Sequence, residues 1–147
     1  TTVSVITTRC DQFGSGVNFQ VGRAEALSAL CRIMIYARRQ NLAPEYLIRF
    51  YLCLYYGLET EVGRNLFTMS SILFSAVDLL REDLPGINIL LPRLFAACKY
   101  VFCDENVTRP EYVTMTMLRR AALHQFMSMV CIPIQFKTVI IRCKFPN

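Results

Sequence analysis

Five stretches of this chain carry apolar residues at helical spacing, and their starts recur at nearly even intervals. Leu27, Leu30, Cys31, Met34 and Ile35 fall at i, i+3, i+4, i+7 and i+8, one stripe on a helix from about Gly22 to Arg39. Leu47, Phe50, Tyr51, Leu54 and Leu58 mark a second helix. It starts near Pro44, with Pro44 and Glu45 suited to a first turn and Gly57 near its end. Met69, Ile72, Leu73, Ala76 and Leu80 mark a third, over 65–82. After the turn Asp83-Leu-Pro-Gly86 comes a fourth, with Ile87, Leu90, Leu91, Leu94, Phe95, Cys98 and Phe102 apolar. Pro92 either starts its regular part or kinks it. Met115, Leu118, Ala122, Phe126 and Met129 mark a fifth, which Pro133 ends. Ahead of it, Thr108-Arg-Pro-Glu111 has capping-box spacing with Pro110 at the first helical position.

The starts near 22, 44, 65, 86 and 110 lie about 21–24 residues apart. That is roughly 43 residues per pair, the period of HEAT or armadillo units. The expected fold is therefore all-α, a HEAT/armadillo-like α-solenoid segment of about five helices with extended termini. Residues 1–21 form an extended or irregular lead-in, 22–133 the helical repeat domain and 134–147 an extended tail. A plain five-helix bundle with similar loops has the same spacing, and similarity between the repeats is weak. Composition tips the balance. Of the 147 residues, 54% are hydrophobic, and mean hydropathy is +0.35. The longest runs without a formal charge, Asn65–Val77 and Ala121–Phe136, are 13 and 16 residues. A membrane-spanning helix needs about 20. The first ten residues are Thr-rich and have no apolar core of signal-peptide length. A chain this apolar that neither spans nor inserts is expected to bury surface against neighbouring repeats or a partner.

Net charge is +5, from 13 Arg and three Lys (Lys99, Lys137, Lys144) against 11 acidic residues. The cations are scattered, which argues against a nucleic-acid face. Seven cysteines at 10, 31, 53, 98, 103, 131 and 143 include no Cys-x-x-Cys, and His124 is the one histidine. A zinc site is not expected. Reduced, buried thiols in a cytoplasmic protein are. His124 lies in a helical pattern and reads as a residue at the core boundary rather than a base. The carboxylate pairs Glu59/Glu61, Glu82/Asp83 and Asp104/Glu105 fall at helix ends or in loops and read as solvated surface. No catalytic constellation and no cofactor motif is present in the sequence.

The remaining features suit contacts. Helix two is unusually aromatic, with Tyr46, Phe50, Tyr51, Tyr55 and Tyr56. Tyr55 and Tyr56 cannot share one narrow stripe, so at least one is expected at the surface or against a partner. Of Arg119 and Arg120, one is expected to reach a carboxylate or a neighbouring helix end. Arg38 and Arg39 suit the negative end of helix one and Glu25 its first turn. Gly22 lets the chain turn into that helix, and Arg23 can reach another helix or a partner.

The ordered set Gly22-Arg-Ala-Glu-Ala, Leu30-Cys-Arg-Ile33, Pro44-x-Tyr-Leu-x-Arg-Phe-Tyr51 and Gly57-Leu58 resembles a segment of the Ral GTPase-activating protein subunits. These are large, tuberin-related proteins. The resemblance continues through Asp83-Leu-x-Gly-Ile87, Leu118-Arg-Arg-Ala121 and Pro133-x-x-Phe136, so it spans most of residues 21–136. Ile35-Tyr-Ala-Arg-Arg-Gln40 departs from the family's polar linker, and the first 20 residues match nothing in it. The resemblance implies a long helical scaffold preceding a C-terminal GTPase-activating domain. It also implies a heteromeric complex with a partner subunit, accelerating GTP hydrolysis by Ral-type GTPases. Catalysis in that family uses an asparagine of the C-terminal domain, and neither Asn65 nor Asn88 sits in a matching context. The segment would then be non-catalytic scaffold. A free-standing helical adaptor for a peptide, or a peripheral membrane module using Arg and exposed aromatics, would be the alternatives.

Overall fold

The fold was taken from a computed structural model, which describes residues 16–36, 42–60, 66–81 and 84–131. Among these residues all regular structure is helical: α1 (Gly16–Tyr36), α2 (Pro44–Gly57), α3 (Leu66–Ser75), α4 (Leu91–Cys103) and α5 (Met115–Cys131). Short 3₁₀ turns at Leu79–Arg81 and Ile87–Leu90 lie between α3 and α4.

α3 is the pivot. Six consecutive residues, Thr68 to Leu73, are buried, so it has almost no solvent face. α1 lies along it, α5 packs on it, and α2 and α4 cover it from the remaining side. The direction of α1 against α3 follows from two hydroxyl contacts. Ser71 Oγ donates to the Ala24 carbonyl at 3.3 Å, and Ser28 Oγ hydrogen-bonds Ser75 Oγ. Both pairs are 47 residues apart, so α1 and α3 run parallel with a fixed offset. α4 and α5 run antiparallel instead. Phe95, early in α4, meets Phe126, late in α5, while Arg119 near the start of α5 donates to the Asp104 carbonyl just after α4.

The apolar stripes form one core. Leu27, Cys31, Met34 and Ile35 of α1 meet Leu47, Phe50, Tyr51 and Leu54 of α2 and Met69, Ile72 and Leu73 of α3. Two glycines have structural reasons. At Gly57 a Cβ would sit 2.6 Å from Ile72 Cδ1 and 3.0 Å from Leu27 Cδ1, so α2 closes on α1 and α3 only without a side chain there. At Gly86 φ is +80°, the left-handed value that L residues avoid. With Pro85 before it and Ile87 N–H bonded to Leu84 O, this is a type II turn, pinned from outside by Tyr51 Oη on Pro85 O at 2.7 Å.

Several boundaries differ from expectation. α1 begins at Gly16, six residues before the expected start, so residues 16–21 are helix rather than lead-in. Gly22 is then an interior helical position with open space around it, and no turn uses it. The expected third helix stops at Ser75, where the chain tightens through a Leu79 N–H to Ala76 O bond into the 3₁₀ turn. Pro92 starts the regular part of α4. The capping box at Thr108 does not form. α5 begins at Met115, capped by Thr114 Oγ1 accepting from the Met117 N–H at 3.2 Å. Residues 104–114 instead fold as a loop around Arg109, whose Nη1 and Nε donate to the Val107 and Val113 carbonyls, each at 3.0 Å. Val107 and Val113 are buried and anchor that loop in the core. Residues 1–15 of the expected lead-in, the expected tail 134–147, and 132–133 at the expected end of the helical domain lie outside the described residues.

Candidate functional site

The structure distributes the candidate contact residues over three places. Glu25 lies in the third turn of α1, not the first, so its charge serves no helix start. Its Oε1 accepts from Tyr112 Oη at 2.8 Å, tying α1 to the 104–114 loop. Burial and this carboxylate push the Tyr112 phenol above its ordinary pKa. Arg23, two residues earlier, is half-buried. Between α1, the end of α3 and the loop lies a cleft of about 230 Å³, lined by Ser28, Arg32, Phe74, Ser75, Asp78 and Tyr112.

Tyr55 and Tyr56 mark the second place. Tyr56 is 46% exposed, and the two rings meet edge to face, 5.8 Å apart. Arg93 of α4 lays its guanidinium over the Tyr55 ring, 4.4 Å from the centroid, a cation–π contact joining α2 to α4. Arg93 follows Pro92 directly, and sequence spacing carried no sign of its role. Tyr112 and Gln125 escaped for the same reason: their partners lie 87 and 49 residues away.

The third place is the α4–α5 end. Arg119, itself exposed, donates from Nη2 to Asp104 O at 3.3 Å, at the C-terminal end of α4. Arg120 is exposed one residue on, while Arg38 and Arg39 lie outside the described residues.

Groups that could do chemistry are dispersed. His124 is exposed, beyond the boundary position expected of it. The expectation of buried thiols holds for Cys31 and Cys98 but not for Cys53, Cys103 and Cys131, which are exposed. Burial pushes the Cys31 and Cys98 thiols to about 12, so both stay protonated and unreactive near neutrality. Among the described residues no three His, Cys, Asp or Glu side chains group to hold a metal ion. No helix there is long and apolar enough to cross a membrane.

Comparison with known proteins gives the family. The chain is 31% identical over 136 residues to the human Ral GTPase-activating protein subunit beta, a match covering 88% of this chain. It is a homologue of a segment of that subunit. The rat Ral GTPase-activating protein subunit beta is 27% identical over the same span. A Rap-GAP domain-containing protein of Dictyostelium discoideum is 29% identical over 113 residues, 76% of this chain. The chain spans only 9% of the human protein's length, 8% of the rat protein's and 6% of the Dictyostelium one's. No protein-family model and no solved structure matches it. The resemblance drawn from Gly22-Arg-Ala-Glu and the elements after it thus names the right relatives. The Ral GTPase-activating relatives it matches are beta subunits.

Proposed function

We propose that this chain is a non-catalytic helical scaffold segment of a subunit in a GTPase-activating complex acting on Ral-type small GTPases, and that its work is subunit assembly in the cytoplasm. The observation that carries this is the alignment with Ral GTPase-activating protein subunit beta across 88% of the chain. Two features of the fold support it. The described core is built on apolar stripes, and its buried polar side chains Ser28, Ser70, Ser71 and Gln125 bond between elements. The parallel pair α1 and α3 is offset by 47 residues, within the period of about 40–47 residues of HEAT/armadillo units, which supports reading the two as helices of successive repeats.

In this reading Glu25 and Arg119 hold the loop and the α4 end in place. Arg23, Tyr55, Tyr56 and Arg120, with Arg38 and Arg39, are the candidate contacts to neighbouring repeats or the partner subunit. The test is co-purification of the full-length parent with candidate partner subunits, followed by single-turnover GTP hydrolysis on a Ral-type GTPase. The expected result is a stable complex that stimulates hydrolysis, with the isolated 147-residue chain inactive. Failure to form any complex, or stimulation by the isolated chain, overturns the reading.

A further inference from the structure

We propose that the seam between α4 and α5, on the side away from the core, is a docking surface for an acidic amphipathic helix of a partner protein. α4 presents Phe95, Lys99 and Phe102 at i, i+4 and i+7. α5 presents Arg119, Leu123, Phe126 and Val130 at i, i+4, i+7 and i+11. Each set is one helical stripe. The rings bring the two stripes to the same seam: Phe95 and Phe102 both meet Phe126, with centroids 6.0 and 6.5 Å apart. Phe95 and Phe126 are half-buried and form the floor. Phe102, Leu123 and Val130 are 42%, 53% and 55% exposed along its banks.

Charge selects the occupant. α4 and α5 contain no Asp or Glu; their formal charges are Arg93, Lys99, Arg119 and Arg120, all positive. Arg119 bonds the backbone carbonyl of Asp104, whose carboxylate accepts from the Asn106 N–H instead. The nearest carboxylates in sequence, Asp104 and Glu105, lie at one end, where α4 gives way to the loop. A second copy of this surface would set cation against cation. Residues 132–147 carry Lys137, Arg142 and Lys144 and no acid, so they are disfavoured as a cover on the same ground. A floor of half-buried rings between two helices is a valley, which suits a third helix better than a flat bilayer. A helix with apolar residues at i, i+3, i+4 and i+7 and carboxylates beside them complements it. The proposal rests on the assembly reading above for the existence of a partner subunit, whose contact it then assigns to α4–α5.

The first experiment uses a labelled 21-residue peptide of Leu and Glu with Leu at those helical positions, a scrambled control, and vesicles of phosphatidylcholine with phosphatidylserine. Binding to the 147-residue chain is read by fluorescence anisotropy and by vesicle co-sedimentation. The expected result is binding of the patterned peptide alone, weakened at least tenfold in Lys99→Glu/Arg119→Glu and in Leu123→Ser. The charge-matched control Arg32→Glu/Arg49→Glu, on exposed residues of α1 and α2, should change it less than twofold. Circular dichroism verifies folding of each variant. No peptide binding, equal loss in the control, vesicle binding in place of peptide binding, or a dimer abolished by Leu123→Ser each overturns the proposal. In the full-length parent, a complex that forms and survives the seam substitutions overturns the seam and leaves the assembly reading standing. A parent that forms no complex while the peptide result holds overturns the assembly reading instead.

Discussion

Replacing Gln125 by methionine should leave the chain as stable as before or more stable, although it deletes a buried hydrogen bond. Gln125 is fully buried in α5, and its Nε2 donates to the Ala76 carbonyl where α3 ends. Its Oε1 is buried and has no partner among the described residues. Ala76 O also accepts the Leu79 N–H at 2.9 Å, so it stays satisfied when the glutamine is removed. The lost bond is worth about 1 kcal/mol net, whereas an unpaired buried carbonyl costs about 1–3 kcal/mol. Methionine has the same unbranched length and fills the space without that cost. The balance is a gain of about 0–2 kcal/mol, or a few degrees in Tm for a chain of this size. Gln125→Ala differs by leaving a cavity, and should cost about 2–4 kcal/mol. Urea titration followed by far-UV circular dichroism, with the slope m compared between variants, measures both. A loss above about 1 kcal/mol in Gln125→Met at unchanged m would refute the reasoning, because Oε1 must then have a partner in solution.

Four further outcomes follow from the same geometry. Gly57→Ala should destabilise by about 1–2 kcal/mol through overpacking against Ile72 Cδ1; adding Ile72→Val, which deletes that atom, should recover part of the loss in a double-mutant cycle. Gly86→Ala forces a side chain to φ +80° and should cost about 1–2 kcal/mol, read from the urea midpoint. Tyr112→Phe removes the Glu25 contact at an exposed site. It should change global stability by under about 1 kcal/mol while raising amide exchange in residues 104–114. Stability should fall on the alkaline side. Burial raises Cys31 and Cys98 from 9.0, and Tyr51 from 10.0, to about 12 in the folded state, so the unfolded chain loses those protons first. The thiols' contribution is complete below pH 9 and the Tyr51 phenol's below pH 10, and both are lost as pH rises toward 12. A flat denaturation midpoint across that range would contradict it.

The parts of the fold legible from sequence were those set by local periodicity. Leu47, Phe50, Tyr51, Leu54 and Leu58 are all buried, as their spacing required, and Pro44 and Pro92 start helices because neither can sit in a helix interior without cost. What escaped was decided by distant partners. Nothing local stops α3 at Ser75; the Ala76 carbonyl is taken by Leu79 and Gln125. Thr108-Arg-Pro-Glu111 satisfies a local capping pattern, yet the Thr108 carbonyl accepts from Ser70 Oγ at 2.9 Å and Arg109 folds the loop, delaying α5 to Met115. Phe102 belongs to an apolar stripe by spacing but stands 42% exposed, because α4 turns that flank toward the α5 seam rather than the core. The candidate contacts divide the same way. Periodicity separated Tyr55 from Tyr56, and only the tertiary structure set Arg93 over Tyr55 and Tyr112 on Glu25.

The small polar residues of α3 explain how a helix buried on nearly all sides holds one alignment. A purely apolar α3 could slide along α1 by a turn and bury similar area. Ser71 and Ser28 oppose this, since both are almost fully buried and each hydroxyl meets its α1–α3 partner at the 47-residue offset. A slip of one turn, about 5.4 Å, would strand both hydroxyls at a cost of about 1–3 kcal/mol each. The α1–α3 alignment then fixes Glu25, which holds Tyr112, while Ser70 holds Thr108. Together they clamp the loop that delivers α5. The alignment of the first parallel pair is thereby passed to the α4–α5 hairpin, and a surface on that hairpin is presented at a set distance and angle from α1. On the assembly reading proposed above, that rigidity is what a scaffold needs, and Ser71→Ala, which removes the hydroxyl with little change in volume, is the substitution that would loosen it.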